Sequence, residues 1–151
     1  MDQWDTIKTW TQSPAVHVGG GTRYTAAATG EQWVEVGEGA HIDDNARIGK
    51  HVHVGSFAHI GAGAYISENS HIGAYAHIAA GAGMGEHASI GECAHMGKYS
   101  YLGAFAGMGA HVHIGYGAHI GERALIGRHA SVGYRDRVAP GDVVASGDIV
   151  A

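Results

Sequence analysis

Cysteine is nearly missing from this 151-residue chain. Cys93 stands alone, so no internal disulfide can form, a usage that fits a reducing compartment. Positive charge is scarce. Nine Lys and Arg face fourteen Asp and Glu, and the formal net charge is −5. With no basic stripe to displace phosphate counterions, nucleic acid is excluded as an expected partner. No apolar run approaches the ~18 residues of a membrane span. The opening MDQWDTIKTW lacks the charged and apolar regions of a secretory signal. The expectation is a cytoplasmic protein, or one incorporated into a larger particle, with no membrane partner. Against these shortages stand 26 glycines and 13 histidines.

The glycines belong to a rhythm. From Val36 to Val150 every sixth residue is aliphatic or Met, without one insertion: Val36, Ile42, Ile48, Val54, Ile60 and onward through Met84, Met96, Leu102 and Met108 to Val144 and Val150. Taking the aliphatic position as i, position i+1 is mostly Gly and position i−2 is small, as at Ala58, Ala64 and Ser70. A period of six fits neither a helix nor plain strand alternation. It predicts a short strand and a tight turn, repeated. Three units close a triangular coil of 18 residues, with i and i−2 inside, and about seven coils stack as parallel strands ~4.8 Å apart. Position i+3 falls at the turn and holds Gly, Asn and four of the histidines, His51, His87, His111 and His129, all residue types that tolerate positive φ.

The ends depart from the rhythm. Residues 1–13 form an expected cap, a short helix or irregular segment with Asp2 as its N-cap and Trp4, Ile7 and Trp10 near one face. Pro14 marks the boundary to the solenoid, residues 14–151, whose register is regular from about residue 34. Val16, His17 and Val18, then Gly19–Gly21 and Ala26–Ala28, read as an imperfect first coil. Asp136, Asp142 and Asp148 occupy the small inward position, so the last coil is expected either to open to solvent or to be capped by these acids. A bare last coil would allow end-to-end stacking.

Units such as IGAGAY at residues 60–65 and IGAYAH at residues 72–77 resemble the hexapeptide repeat of left-handed β-helix proteins, among them bacterial acyltransferases and γ-class carbonic anhydrases. The resemblance implies an all-β, left-handed parallel β-helix. It also implies two active-site patterns, and neither matches. The acyltransferases place a catalytic His at i+2, where this chain has Glu38, Asp44, Lys50, Ser56, Ala62 and no His at any coil. The carbonic anhydrases place zinc-ligating His at i+1 and i+2, including a pair five residues apart, and no such pair exists here. No catalytic residue is assigned.

Nine histidines fall at i−1, an outward position. Steps of 18 align them in columns. The first reads Arg23, His41, His59, His77, His95, His113, Ser131; the second His17, Glu35, His53, His71, Ser89, Gly107, Leu125, Val143; the third Thr29, Arg47, Tyr65, Gly83, Tyr101, His119, Arg137. Five histidines in successive coils, His41, His59, His77, His95 and His113, are candidate ligands for divalent metal, or a pH-sensitive contact with a neighbouring subunit. Outward glycines at Gly83 and Gly107, with Tyr101 nearby, mark an expected inter-subunit cleft for any small-molecule cofactor. Three functions follow. The first is a non-catalytic or assembly-forming trimeric solenoid with a histidine-rich face. The second is an acyl-CoA-dependent transferase with an inter-subunit site. The third is a metal-binding protein of carbonic-anhydrase type.

Overall fold

A computed structural model describes residues 16–18, 23–25, 33–43 and 45–151; for the first six and Trp33 it describes backbone alone. The expected cap at residues 1–13 and the glycine and alanine runs at 19–21 and 26–28 lie outside the described residues.

The described chain consists of short strands and turns. Strands β1 (Val16–Val18) and β2 (Arg23–Thr25) lead into β3 (Trp33–Val36) and β4 (Ala40–Ile42). From there a strand of two or three residues recurs every six positions to β22 (Ile149–Val150). Three sheets result. The first face carries β1, β4 and then every third strand to β22; the second carries β2, β3 and then every third strand to Val143–Val144; the third carries every third strand from Arg47–Ile48 to Arg137–Val138. From β3 to β22 each strand pairs in parallel with the strand one coil away, as His77 with His59 and His95. Twenty parallel strands, three to a turn, make between six and seven turns of 18 residues.

The repeat explains each phase. Position i is buried throughout the middle coils, with Ile60, Ile66, Ile72, Ile78 and Met84 fully enclosed. Position i−2 shares that interior and is Ala nearly everywhere. Where it is serine, the hydroxyl finds a backbone acceptor: Ser70 Oγ donates to the Gly85 carbonyl at 3.0 Å and Ser100 Oγ to the Gly97 carbonyl at 2.7 Å. Every i+3 residue from Gly39 to Gly147 has positive φ, the four histidines included, at 57° to 60°. The turn before it closes with an i+4 amide donating to the i+1 carbonyl, as Ala58 to Gly55. Positive φ at the third residue of such a turn is the type II pattern.

Position i+1 is glycine because the next coil leaves no room. A Cβ on Gly85 would lie 2.4 Å from the Ala104 nitrogen, and one on Gly55 2.5 Å from the Ala74 nitrogen. Between residues 37 and 133 three positions carry a side chain there, and the ladder bond records it. The amides of Asp43, Ser67 and Ala79 reach the next coil at 2.9, 3.0 and 2.9 Å, whereas the glycine amides do so at 2.7–2.8 Å.

One expectation changes at the ends, and one pair of alternatives is decided. The imperfect first parallel coil does not form, because β1 runs antiparallel to β4 and β2 antiparallel to β3. The column heads therefore exchange: His17 sits opposite His41, and Arg23 opposite Glu35. Counting by 18 fails wherever a strand reverses. At the other end the last coil opens to solvent: Asp142 and Asp148 are exposed and Asp136 is half-buried, while their amides and carbonyls keep the turn and ladder bonds.

Candidate functional site

From Glu35 onward the three outward columns form as the spacing predicts. On the first face the rings of His41, His59, His77, His95 and His113 follow one another at 4.8–4.9 Å. The stack is not uniform. His59 and His77 lie within 2° of parallel and His95 and His113 within 11°, but His41 is tilted 40° from His59 and His77 56° from His95.

A carboxylate joins the first two rings. Asp43 follows Ile42 at i+1 on the same face and accepts from both rings: its Oδ1 lies 2.5 Å from His41 Nε2 and its Oδ2 2.9 Å from His59 Nε2. All three side chains are part-buried. Burial raises the Asp43 pKa, but hydrogen bonds and charge from His59 and then His41 outweigh it and hold the carboxyl below its ordinary value. Among the described residues, His41, Asp43 and His59 are the one group of three that brings metal-ligating atoms together, all within 4.8 Å of one another. The expected five-ligand column thus divides. His41 and His59 converge on Asp43, while His77, His95 and His113 remain a line. Burial, then the positive charge of neighbouring rings, lowers the pKa of His77 and of His95.

Sequence reasoning passed over Asp43. The signal was present: an acid at a position otherwise glycine, two residues beyond one ladder histidine and sixteen before the next.

The second face changes character along its length. Its upper part carries His53 stacked on His71 at 4.7 Å, with Glu35 Oε2 3.6 Å from His53 Nδ1. Burial, then the charge of His53, lowers the His71 pKa. Its lower part is apolar. Leu125 is 52% exposed and Val143 71% exposed, and they border an open groove of about 400 Å³ with Gly107 and Met108.

The expected cleft residues separate. Gly83 and Tyr101 pair on the third face, and the Tyr101 ring covers Gly83, its Cδ2 3.0 Å from where a Cβ would stand. Gly107 pairs with Ser89 and Leu125 on the second face. One chain does not join them. The corners carry further aromatic stacks, Phe57 on Tyr75 and His87 on Phe105, with Arg123 over the Phe105 ring. Among the described residues no helix is long and apolar enough to cross a membrane.

Comparison with known proteins places the repeat. Residues 34–68 match the family model for the bacterial transferase hexapeptide, six repeats. No curated protein matches the chain in sequence. Among solved structures, a protein of Bacillus cereus described as a candidate acetyltransferase is similar over 79% of this chain and 73% of its own, with 18% identity and a TM-score of 0.65. A mutant GDP-perosamine N-acetyltransferase of Caulobacter crescentus, solved in complex with CoA and GDP-perosamine, is similar over 74% of this chain, with 16% identity and a TM-score of 0.55. The chain spans about half of that enzyme's length, 52%. At such identities the likeness is one of fold. Over residues 34–68 the chain carries the bacterial transferase hexapeptide repeat, and its three-faced parallel solenoid is similar in fold to these hexapeptide-repeat structures.

Proposed function

We propose that this chain is an assembly-forming β-solenoid, a homotrimer of rods packed side by side, with no catalytic step of its own. The observation that carries the reading is the lower second face. There Leu125 and Val143 stand exposed beside the groove at Gly107, on strands that pair in parallel and are joined, among the described residues, by short turns. An apolar strip on a flat sheet is an adhesive surface, and a second copy of the chain offers a flat partner. In a closed three-fold ring each second face meets a different face of its neighbour. With the third face as that partner, Tyr101 of one copy comes against Gly107 of the next. The groove left by Gly107 suits a tyrosine ring, and Tyr101 is 40% exposed. Sedimentation equilibrium tests this: a trimer mass for the wild type and a monomer for Leu125→Glu support it, and a wild-type monomer overturns it.

The fold neighbours favour a second reading, acyl transfer from acyl-CoA in that inter-subunit cleft, since one of them was solved with CoA. The base would be an outward histidine such as His119, whose ring lies 5.2 Å from that of Tyr101. Calorimetric titration with acetyl-CoA separates the readings. Stoichiometric binding favours transfer, and a trimer that binds none favours assembly alone.

A further inference from the structure

Asp43 breaks the fold's own rule. At i+1 a side chain crowds the next coil, and fourteen of the seventeen positions between 37 and 133 avoid the conflict with glycine. Asp43 accepts that crowding, with a ladder bond at 2.9 Å, and sets a carboxylate between two imidazoles. The β-helix needs neither the acid nor the histidines at this point.

We propose that His41, Asp43 and His59 form a binding site for one divalent first-row transition ion of the zinc kind. The donor set is two imidazole Nε2 atoms and one carboxylate, a combination such ions favour. Both nitrogens already face the same carboxylate, one to each oxygen. Metal–ligand bonds are about 2.0–2.2 Å, so tetrahedral ligand atoms stand roughly 3.3–3.5 Å apart. The ligand atoms lie within 4.8 Å of one another before any ion enters, and rotation of the part-buried His41 and Asp43 side chains closes the remainder. An imidazole that donates from Nε2 to Asp43 must free that nitrogen before it can bind a metal. Coordination through Nε2 moves its proton to Nδ1, and the ionised carboxylate needs no proton loss. Three protein ligands leave a coordination position open for water or for a donor from outside the chain.

The site is not the ladder as a whole. His41 and His59 lie on β4 and β7 (His59–Ile60), in successive coils, so the ion would tie one coil to the next. The parallel stack of His77 beneath His59 fixes the orientation of the His59 ring. His77, His95 and His113 repeat the imidazole spacing without a carboxylate in the group. The proposal stands apart from the assembly reading, because all three ligands come from one chain.

The test is a zinc titration by calorimetry, with cobalt(II) absorption as a second readout, on full-length chain stripped with chelator. The expected result is one ion per chain. Asp43→Gly restores the repeat's own residue, so circular dichroism and thermal midpoint should hold or rise. Its affinity should fall by more than the roughly 10–100-fold that loss of an outer-sphere partner costs. His95→Gln should bind as the wild type does. Should Asp43→Gly fold poorly, Asp43→Asn keeps the shape, removes the charge and carries the same expectation. The proposal is overturned if the wild type takes up no ion at micromolar concentration, if the Asp43 variants bind as tightly as the wild type, or if His95→Gln weakens binding as much as they do.

Discussion

Replacing Gly85 with alanine adds one methyl group where the fold has least space. Its Cβ would stand 2.4 Å from the Ala104 nitrogen, 2.7 Å from the Ala104 Cα and 2.8 Å from the Gly103 carbonyl carbon. These are backbone atoms, and no side chain can swing away. Ala79 shows how the fold yields: its amide meets the Met96 carbonyl at 2.9 Å, against 2.7 Å from Gly85 to Leu102. The ladder bond therefore stretches but survives. Overpacking of this kind costs about 1–3 kcal/mol, and reduced freedom of the unfolded chain returns about 0.4–1 kcal/mol. The net expectation for Gly85→Ala is a loss of about 1–2 kcal/mol. Urea denaturation reads it as a midpoint lowered by roughly 0.5–1 M at unchanged slope. Ala79→Gly should move the midpoint less, because it relieves crowding but restores backbone freedom. A Gly85→Ala midpoint equal to or above that of the wild type would refute the argument that coil spacing selects glycine at i+1.

Other phases make their own predictions. Ile78→Asp places a carboxylate at a fully buried position between Ile60 and Met96, and folding should be lost at a cost of several kcal/mol, seen as loss of the β circular dichroism signal. Ala74→Ser, at the variable i+2 position, should change stability by no more than about 0.5 kcal/mol in the same urea assay. The pH dependence follows from His71 and His95. His71 stacks on His53, and His95 lies between His77 and His113. Both have folded pKa values lowered from the ordinary 6.5 by burial first and neighbouring imidazolium charge second. The folded chain therefore binds fewer protons than the unfolded one between 6.5 and the lowered values, and stability falls as pH drops through that window. The urea midpoint should decline from about pH 7 to about pH 5, and the His71→Gln, His95→Gln double variant should show a shallower decline.

The solenoid was legible because its constraint repeats. Ile60, Ile72 and Ile78 are buried for the same reason, and each confirms the register of the others. The turn histidines were legible too: His51, His87, His111 and His129 have the positive φ that their phase requires. What failed was local. His17 and Arg23 were assigned to the wrong columns because parallel stacking was extended into strands that reverse. Gly83 and Gly107 keep the columns that the spacing gives them, on different faces. Asp43 was hidden because i+1 was read through its majority residue. A ladder of histidines is a line, and the acid that makes it converge lies at another phase of the repeat.

The central claim is that copies of this chain join the second face of one to the third face of the next. Disulfide trapping tests it most directly, because Tyr101 and Gly107 occupy different faces of a single chain. Native Cys93 is exposed and is first replaced by serine. Tyr101→Cys and Gly107→Cys are then made on separate copies and mixed under mild oxidation. The predicted result is a cross-linked pair containing one of each, formed faster than either like pair. Equal trapping of like and unlike pairs, or none at all, would contradict the proposed assembly.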